Sequence, residues 1–173
     1  MGSRVTFIIG GAASGKSEFA ENFCVSSGKQ RVYLATSQVF DDEMQAKVVK
    51  HVTQRGEGWI TKEAPFEVAP VLDALTADQI CLLDCATMWL TNHLLANHDL
   101  TTEQDAFLNA VARCQADVVI VSNETGLGIV PENKLARQFR EAQGRLNIAI
   151  AKQADTVVQV TVGLPLVLKG SLS

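Results

Sequence analysis

The sequence predicts an α/β fold in which helices cover both faces of a mostly parallel sheet. Apolar runs of strand length alternate along the chain with segments that have helical spacing. Most of these runs are apolar throughout, which is typical of strands buried on both faces of a parallel sheet. A glycine-rich loop lies directly between the first expected strand and the first expected helix. We expect residues 1–173 to form a single domain, because the chain shows no repeat, low-complexity segment or linker.

The apolar runs define five strands, and the helical spacing defines four helices. We expect the strands at residues 5–9, 31–35, 80–84, 118–122 and 156–162, and the helices at 16–26, 41–55, 102–114 and 131–153. A further strand is expected around residues 59–63, within a glycine- and proline-containing segment, 56–70, that indicates irregular surface structure. The tail, 163–168, predicts an antiparallel edge hairpin with Pro165 in its turn.

Composition and charge exclude several classes of protein. The formal net charge of −4 provides no basic stripe for a nucleic-acid backbone, so we expect no nucleic-acid partner. No run of about 18 apolar residues occurs, so we expect no membrane span. The start of the chain does not have the pattern of a signal peptide, and the four cysteines form no CxxC pair. These features predict a cytoplasmic protein with reduced cysteines.

The glycine-rich loop has the P-loop spacing G-x-x-x-x-G-K-S, and its residues are Gly10, Gly11, Ala12, Ala13, Ser14, Gly15, Lys16 and Ser17. It follows an expected strand and precedes an expected helix, as the motif requires. Backbone N–H groups of such a loop hold phosphate oxygens at the N-terminus of the helix. Lys16 would neutralise the outer phosphates, and the Ser17 hydroxyl would ligate Mg²⁺. The sequence therefore predicts a P-loop NTPase-type fold that binds a purine nucleoside triphosphate and transfers a phosphoryl or nucleotidyl group.

A carboxylate for the magnesium side is expected at the end of a neighbouring strand. Asp84 follows four apolar residues and would lie at the carboxyl edge of the sheet, where α/β proteins bind ligands. The alternative is an aspartate that only ends its strand. A regulatory GTPase is disfavoured, because residues 133–136 lack the aspartate of the guanine motif and no D-x-x-G switch motif occurs.

Several further motifs follow the P-loop in order. Ala35-Thr36-Ser37 is followed by Asp41-Asp42-Glu43-Met44, then by His51-x-x-x-Arg55, Trp59 and Glu63. A second signature covers residues 122–131, SNETGLGIVP, and the segment GRLN follows at 144–147. Over nearly its whole length the chain thereby resembles the bifunctional adenosylcobinamide kinase/adenosylcobinamide-phosphate guanylyltransferases of cobalamin synthesis. It departs from the family's common pattern at Asp84, where glutamate is usual, and at Gly56, where proline is usual.

The resemblance implies two reactions on a corrinoid substrate, with Mg²⁺ as cofactor. The first phosphorylates the aminopropanol hydroxyl of adenosylcobinamide with ATP or GTP. The second transfers GMP from GTP through a GMP–histidine intermediate and gives adenosylcobinamide-GDP. The resemblance also implies a homo-oligomer, a trimer, that holds the corrinoid near a subunit boundary.

The same resemblance implies roles for individual residues. His51 would be the guanylylated histidine, and Lys16 and Arg55 the other catalytic residues. Ser17 and Asp84 would hold the magnesium ion. The nucleotide would be bound by the eight P-loop residues together with Ala35, Thr36, Ser37, Val52, Thr53, Gln54, Arg55, Glu63 and Asp84.

Alternatives remain open for the histidines and for the function. Met44, Val48, His51 and Arg55 share a helical face, so periodicity alone favours His51 as a residue at the edge of the core. His93 and His98 have no carboxylate or cysteine partner at metal-ligand spacing, and we expect surface or helix residues. The rival functions are a single-activity P-loop kinase of a small metabolite and a non-catalytic nucleotide-binding module.

Overall fold

The computed structural model describes residues 2–38 and 41–173, which contain seven strands and six helices. The strands are β1 (Val5–Gly10), β2 (Gln30–Ala35), β3 (Trp59–Glu63), β4 (Gln79–Asp84), β5 (Asp117–Asn123), β6 (Thr156–Thr161) and β7 (Leu164–Lys169). The helices are α1 (Lys16–Ser26), α2 (Asp42–Arg55), α3 (Ala69–Asp73), α4 (Ala86–Leu95), α5 (Leu100–Arg113) and α6 (Lys134–Gln153).

All seven strands belong to one sheet, in the order β3-β2-β4-β5-β1-β6-β7. The first six strands pair in parallel, and β7 is antiparallel to β6. Parallel pairing requires a crossover between successive strands, and the helices supply each one. The predicted mostly parallel α/β sheet is confirmed, together with its five expected strands and the additional strand β3.

The C-terminal hairpin is also confirmed, but the predicted place of Pro165 is wrong. Pro165 lies within β7, opposite Val160, and the two-residue turn consists of Val162 and Gly163. These turn residues have φ values of 48° and 77°. Two successive positive φ angles are typical of a type I′ hairpin turn, whereas a proline ring holds φ near about −65°. An edge strand tolerates the missing N–H of proline.

Side-chain caps shift the first residues of two helices from the expected positions. Asp99 accepts a hydrogen bond from the backbone N–H of Thr101 at 3.1 Å, so α5 begins two residues earlier than expected. The Asn133 side chain accepts from the N–H of Ala136 at 3.2 Å, so α6 begins at Lys134 and not at Pro131. Each cap satisfies an N–H group that has no partner inside its helix.

The sequence patterns did not predict α3 or α4. The five residues of α3 are too few for a periodic pattern. Helix α4 has buried residues on several of its sides, including Trp89, Leu90 and Asn92, so its apolar residues form no single stripe. The expectation of irregular surface structure at 56–70 was also wrong in part. Besides the expected strand β3, the segment contains Ala64 and Val68, whose side chains are buried and not at the surface.

Two clusters of buried side chains fill the two faces of the sheet. Helices α3, α4, α5 and α6 cover one face, whose cluster includes Phe7, Leu83, Trp89, Phe107, Ile120 and Leu146. Helix α1 covers the other face, whose cluster includes Ile8, Ala20, Cys24, Leu82, Val121 and Val158. The expected placement of helices on both faces is therefore confirmed. Among the described residues, no helix combines the length and the apolar character needed to cross a membrane.

Replacing Leu146 with alanine tests the packing of α6 on the sheet. Leu146 is fully buried, so Leu146→Ala should lower the free energy of unfolding by about 2–5 kcal/mol. Urea denaturation followed by circular dichroism measures the change. Ile148 lies on the same helix and is 69% exposed, so Ile148→Ala should stay within about 0.5 kcal/mol of the wild type. Equal destabilisation by the two variants would contradict this packing.

Candidate active site

The P-loop connects the carboxyl end of β1 to the first residue of α1, Lys16. Gly15 precedes the helix with φ at 91°, and Ala13 also has a positive φ of 54°. Such backbone angles turn successive N–H groups toward the inside of a loop. The structure therefore gives the motif its required strand–loop–helix context, with the N-terminus of α1 at its end.

Two P-loop glycines lie too close to neighbouring backbone to carry a side chain. A Cβ atom on Gly10 would lie 2.7 Å from the carbonyl oxygen of Val160 in β6. A Cβ atom on Gly15 would lie 3.0 Å from Cα of Gly163, in the hairpin turn. The N–H of Gly163 also donates to the carbonyl oxygen of Ser14 at 2.8 Å. The β6–β7 hairpin thus holds the P-loop from one side.

Lys16 lies over the loop, with its Nζ donating to the carbonyl oxygen of Gly11 at 3.0 Å. Burial lowers the pKa of Lys16, because the half-buried ammonium loses hydration, while the nearby Cys85 and Asp84 act in the opposite direction. The ammonium is therefore close to the strand-end carboxylate. A phosphate oxygen would accept hydrogen bonds from the ammonium in place of the water that burial removes.

Asp84 is the last residue of β4, as predicted, but β5 lies between β4 and β1, so the two strands are not neighbours. Its Oδ2 accepts a hydrogen bond from the Tyr33 hydroxyl of β2. Oδ1 accepts no side-chain hydrogen bond among the described residues. Burial raises the pKa of Tyr33 and the adjacent carboxylate raises it further, so this hydroxyl remains a donor. One carboxylate oxygen is therefore oriented by the sheet through Tyr33.

Arg55, the last residue of α2, extends this group of polar side chains. Its guanidinium carbon lies 3.4 Å from the centre of the Tyr33 ring, in a cation–π contact. Tyr33 thus contacts both a fixed positive charge and the Asp84 carboxylate. The sequence motif containing Arg55 is brought to the P-loop edge through Tyr33, which the sequence analysis did not name.

Glu21 is a second residue that the sequence analysis missed. It lies one turn after Ser17 on α1, so the two share a helix face. Burial raises the pKa of Glu21, and the neighbouring Arg55 opposes this shift. The i, i+4 spacing from the P-loop serine is the sequence signal that indicates this position.

His51 lies on α2 one turn before Arg55 and is exposed. The other members of its expected stripe, Met44, Val48 and Arg55, are half-buried. No residue of α2 is buried, so His51 lies on an exposed helix, one turn from Arg55. An exposed imidazole is not a core residue.

The remaining predicted contacts differ in their surroundings. Ala35 and Ser37 are half-buried at the end of β2, and Glu63 is exposed at the end of β3. Thr36 is fully buried. Its hydroxyl donates to the carbonyl oxygen of Cys85 at 2.7 Å and accepts from the N–H of Cys85 at 2.9 Å. Thr36 thus joins the ends of β2 and β4.

Three further predicted contacts, Val52, Thr53 and Gln54, are exposed on α2. The Thr53 hydroxyl donates to the carbonyl oxygen of Val49 at 2.9 Å, within the same helix. Arg55 is the member of the 52–55 set that contacts the sheet, through Tyr33.

A buried polar network supports the end of β5 beside the P-loop. Ser122 donates to Oδ1 of Asn147 at 2.7 Å and accepts from Nε2 of Gln143 at 2.9 Å. Thr87 accepts from the N–H of Asn123 at 2.8 Å. These side chains join α4 and α6 to the end of β5, where the second sequence signature begins, which gives that signature a structural role.

The expectation that His93 and His98 are surface or helix residues is confirmed, but the expected lack of a carboxylate partner is wrong. His98 is exposed, but His93 is buried in α4 with only 1% of its surface accessible. Nδ1 of His93 lies 3.8 Å from Oε2 of Glu103, so a carboxylate partner does exist. The turn between α4 and α5 brings the three residues together, and spacing along the sequence did not indicate it.

The chain is similar to known proteins over nearly its whole length. The family model described as "Cobinamide kinase / cobinamide phosphate guanyltransferase" matches residues 6–168. The chain is 40% identical to the bifunctional adenosylcobalamin biosynthesis protein CobP of Pseudomonas aeruginosa, covering 94% of this chain and 96% of that protein. It is 38% identical to the bifunctional adenosylcobalamin biosynthesis protein CobU of Salmonella typhimurium, covering 94% and 98%.

A solved structure shows that the fold is shared more widely. The flagellar accessory protein FlaH of Methanocaldococcus jannaschii superposes with a TM-score of 0.53 over 99% of this chain and 83% of that chain, at 13% identity. Identity at that level indicates a common fold and nothing more. The family match and the two relatives extend over nearly the whole chain, and the chain therefore belongs to the cobinamide kinase/cobinamide phosphate guanyltransferase family.

Proposed function

We propose that the P-loop edge of this chain catalyses both reactions of its family on one corrinoid substrate. The first reaction phosphorylates the hydroxyl of adenosylcobinamide with ATP or GTP. The second transfers GMP from GTP to that phosphate through a GMP–His51 intermediate. The observation that carries the proposal is the position of the exposed His51, one helical turn from Arg55. The Arg55 guanidinium packs on the Tyr33 ring, and the Tyr33 hydroxyl donates to Asp84, which lies near Lys16.

Phosphate binding is assigned to the P-loop and Lys16. The N-terminus of α1 and the inward-turned loop amides favour negative charge. The half-buried Lys16 ammonium adds a point charge beside them. In the kinase reaction the substrate hydroxyl attacks the γ-phosphorus, and the bond to the leaving nucleoside diphosphate breaks. Lys16 would stabilise the charge that develops on the phosphate oxygens.

Magnesium binding is assigned to Ser17 and Asp84. A hydroxyl and a carboxylate are hard oxygen ligands, which Mg²⁺ takes together with water and phosphate oxygens. Asp84 fits this role because Tyr33 engages Oδ2 and leaves Oδ1 without a partner among the described residues. When bound, the ion would offset charge on the phosphates. Asp84 is one methylene shorter than the glutamate usual in the family, and its hydrogen bond from Tyr33 fixes where the carboxylate lies.

Guanylyl transfer is assigned to His51. A neutral imidazole nitrogen attacks the α-phosphorus of GTP, a P–N bond forms, and the bond to pyrophosphate breaks. A phosphate oxygen of the phosphorylated corrinoid then attacks the same phosphorus and releases His51. Exposure on α2 leaves this imidazole accessible to both reactants. Arg55, one turn away, would bind a phosphate oxygen as its charge grows.

A homo-oligomer, proposed as a trimer, fits the exposed apolar surface of the C-terminal hairpin. Every residue of β7 is exposed, and the hairpin carries Val162, Leu164, Leu166, Val167 and Leu168. An edge strand with that much exposed apolar surface is a candidate interface. The same hairpin contacts the P-loop through Gly163, so an oligomer would bring a second subunit close to the nucleotide.

A cytoplasmic location is proposed as well, because the cytoplasm supplies nucleoside triphosphates and keeps cysteines reduced, and the four cysteines of the chain form no disulfide.

Lys16→Ala tests the phosphate assignment. Both activities should fall at least about 100-fold, because a preorganised charge is removed from the transferred phosphates. Product formation from adenosylcobinamide with labelled ATP and GTP measures both steps, and circular dichroism checks the fold. Lys152→Ala, at an exposed position near the end of α6, should retain wild-type rates. Unchanged turnover in the Lys16 variant would remove the P-loop from the mechanism.

Asp84→Asn tests the magnesium assignment. The change keeps the size of the side chain and removes its charge, so the Mg²⁺ concentration for half-maximal rate should rise about tenfold or more. A magnesium titration of the kinase reaction measures this value. Asp105→Asn, on the exposed surface of α5, is the control. The same magnesium dependence in both variants would show that Asp84 only ends its strand.

His51→Asn separates the bifunctional mechanism from a single-activity kinase. Asparagine cannot form the GMP–histidine bond, so guanylyl transfer should fall at least about 1,000-fold while phosphorylation is largely retained. Incubation with α-labelled GTP and Mg²⁺ should give acid-labile, base-stable label on the wild type and none on the variant. Lys50→Asn, the adjacent exposed residue of α2, should keep the label. Full guanylyl transfer by the His51 variant would exclude the intermediate at this position, and wild-type protein without label would support the kinase alone.

A further inference from the structure

Two imidazoles and a carboxylate converge at the turn between α4 and α5, about two helical turns along α4 from Thr87. Nδ1 of His93 lies 2.9 Å from Nδ1 of His98 and 3.8 Å from Oε2 of Glu103. One ligand atom from each residue lies within 4.8 Å of the other two. Ligand atoms of a tetrahedral zinc site are about 3.3 Å apart, as bond lengths near 2.0–2.2 Å require. The distances from Nδ1 of His93 to the other two ligand atoms, 2.9 Å and 3.8 Å, lie below and above this value.

The hydrogen bond on the far side of the His93 ring determines which nitrogen faces the cluster as an acceptor. Nε2 of His93 lies 3.0 Å from the carbonyl oxygen of Phe66. A carbonyl oxygen only accepts hydrogen bonds, so Nε2 carries the proton, and Nδ1 of the neutral ring presents its lone pair to His98 and Glu103. The indole of Trp89 donates to the same carbonyl at 2.8 Å and fixes its position. An N–H···O=C bond of this kind orients metal-ligating histidines in proteins.

The local fold holds the other two residues in place. Asn97 adopts a positive φ of 57°, which reverses the chain after α4. The backbone N–H of His98 then donates to the carbonyl oxygen of His93 at 3.1 Å. Asp99 caps α5, and its carbonyl oxygen accepts from the N–H of Glu103 at 3.0 Å. His93 therefore lies in the last turn of α4, His98 in the turn that follows, and Glu103 in the first turn of α5.

The cluster is buried on one side and reachable from solvent on the other. His93 is buried against Trp89 and Phe66, with ring centres 4.6 Å and 5.3 Å away. His98 is exposed and lines a surface cleft of about 510 Å³ between the α4–α5 turn and α6. An ion can enter from this cleft, and a water molecule can complete its coordination there.

We propose that His93, His98 and Glu103 form a binding site for a divalent transition metal of the zinc class, separate from the magnesium position at the P-loop. Two imidazole nitrogens and one carboxylate oxygen select zinc over magnesium, which prefers oxygen ligands. Bound metal would join the end of α4 to the first turn of α5. The competing arrangement is a hydrogen bond between the two histidine Nδ1 atoms with no metal.

Zinc titration of the protein tests the site. Protein stripped with a chelator is titrated with Zn²⁺ alone, in competition with a chromophoric chelator and without nucleotide. The wild type should bind one equivalent per chain, and the ion should raise its melting temperature. His98→Ala should weaken binding at least about 100-fold, and Glu103→Gln about tenfold or more. Because His98 is exposed, its variant should fold normally, which circular dichroism checks.

Glu141→Gln provides the matched control, since Glu141 lines the same cleft outside the proposed ligand set and is exposed. It should bind zinc as the wild type does. Co²⁺ in place of zinc should give the intense visible bands of a tetrahedral site in the wild type and not in His98→Ala. Equal zinc affinity in the wild type and His98→Ala, or no saturable binding by the wild type, would overturn the proposal.

Discussion

The parallel pairing of β1 with both β5 and β6 is the constraint on which the site depends. It brings the last residue of β1, Gly10, between two strand ends, where its carbonyl oxygen accepts from the N–H of Glu124 at 2.9 Å and its Cα faces Val160. Backbone this close leaves no space for a Cβ atom. The P-loop is therefore held by main-chain contacts on two sides before any ligand arrives, so little ordering remains to oppose phosphate binding.

Around this loop, the ionisable side chains are half-buried and mutually dependent. Burial disfavours the charged form of Lys16, whereas the nearby Asp84 carboxylate favours it. Burial also disfavours the charged form of Glu21, whereas the Arg55 guanidinium favours it. Tyr33 contacts the Arg55 guanidinium through its ring face and the Asp84 carboxylate through its hydroxyl. Positive and negative side chains grouped in this way suit the proposed binding of a polyphosphate together with a cation.

The two proposed reactions require attack on different phosphorus atoms of a nucleoside triphosphate. Lys16 is fixed at the start of α1, where the outer phosphates of a P-loop nucleotide lie. His51 belongs to α2, which has no buried residue and whose last residue, Arg55, packs on the sheet through one aromatic ring. The exposure of α2 leaves the His51 imidazole open to solvent, as the proposed attack on a bound nucleotide requires.

The sequence by itself determined the sheet class, six strands, the hairpin and the P-loop, because each depends on local periodicity or on glycines at fixed spacing. Similarity to a family indicated His51 and Arg55 on α2. Only the tertiary structure showed that Tyr33 contacts Arg55 and Asp84 and that α4 is buried on several sides. It also showed that the hairpin turn consists of Val162 and Gly163, whereas the sequence predicted Pro165 there. It also joined His93 to Glu103 across a turn. These features depend on contacts between segments distant in sequence or across a chain reversal, and such contacts leave no periodic pattern along the chain.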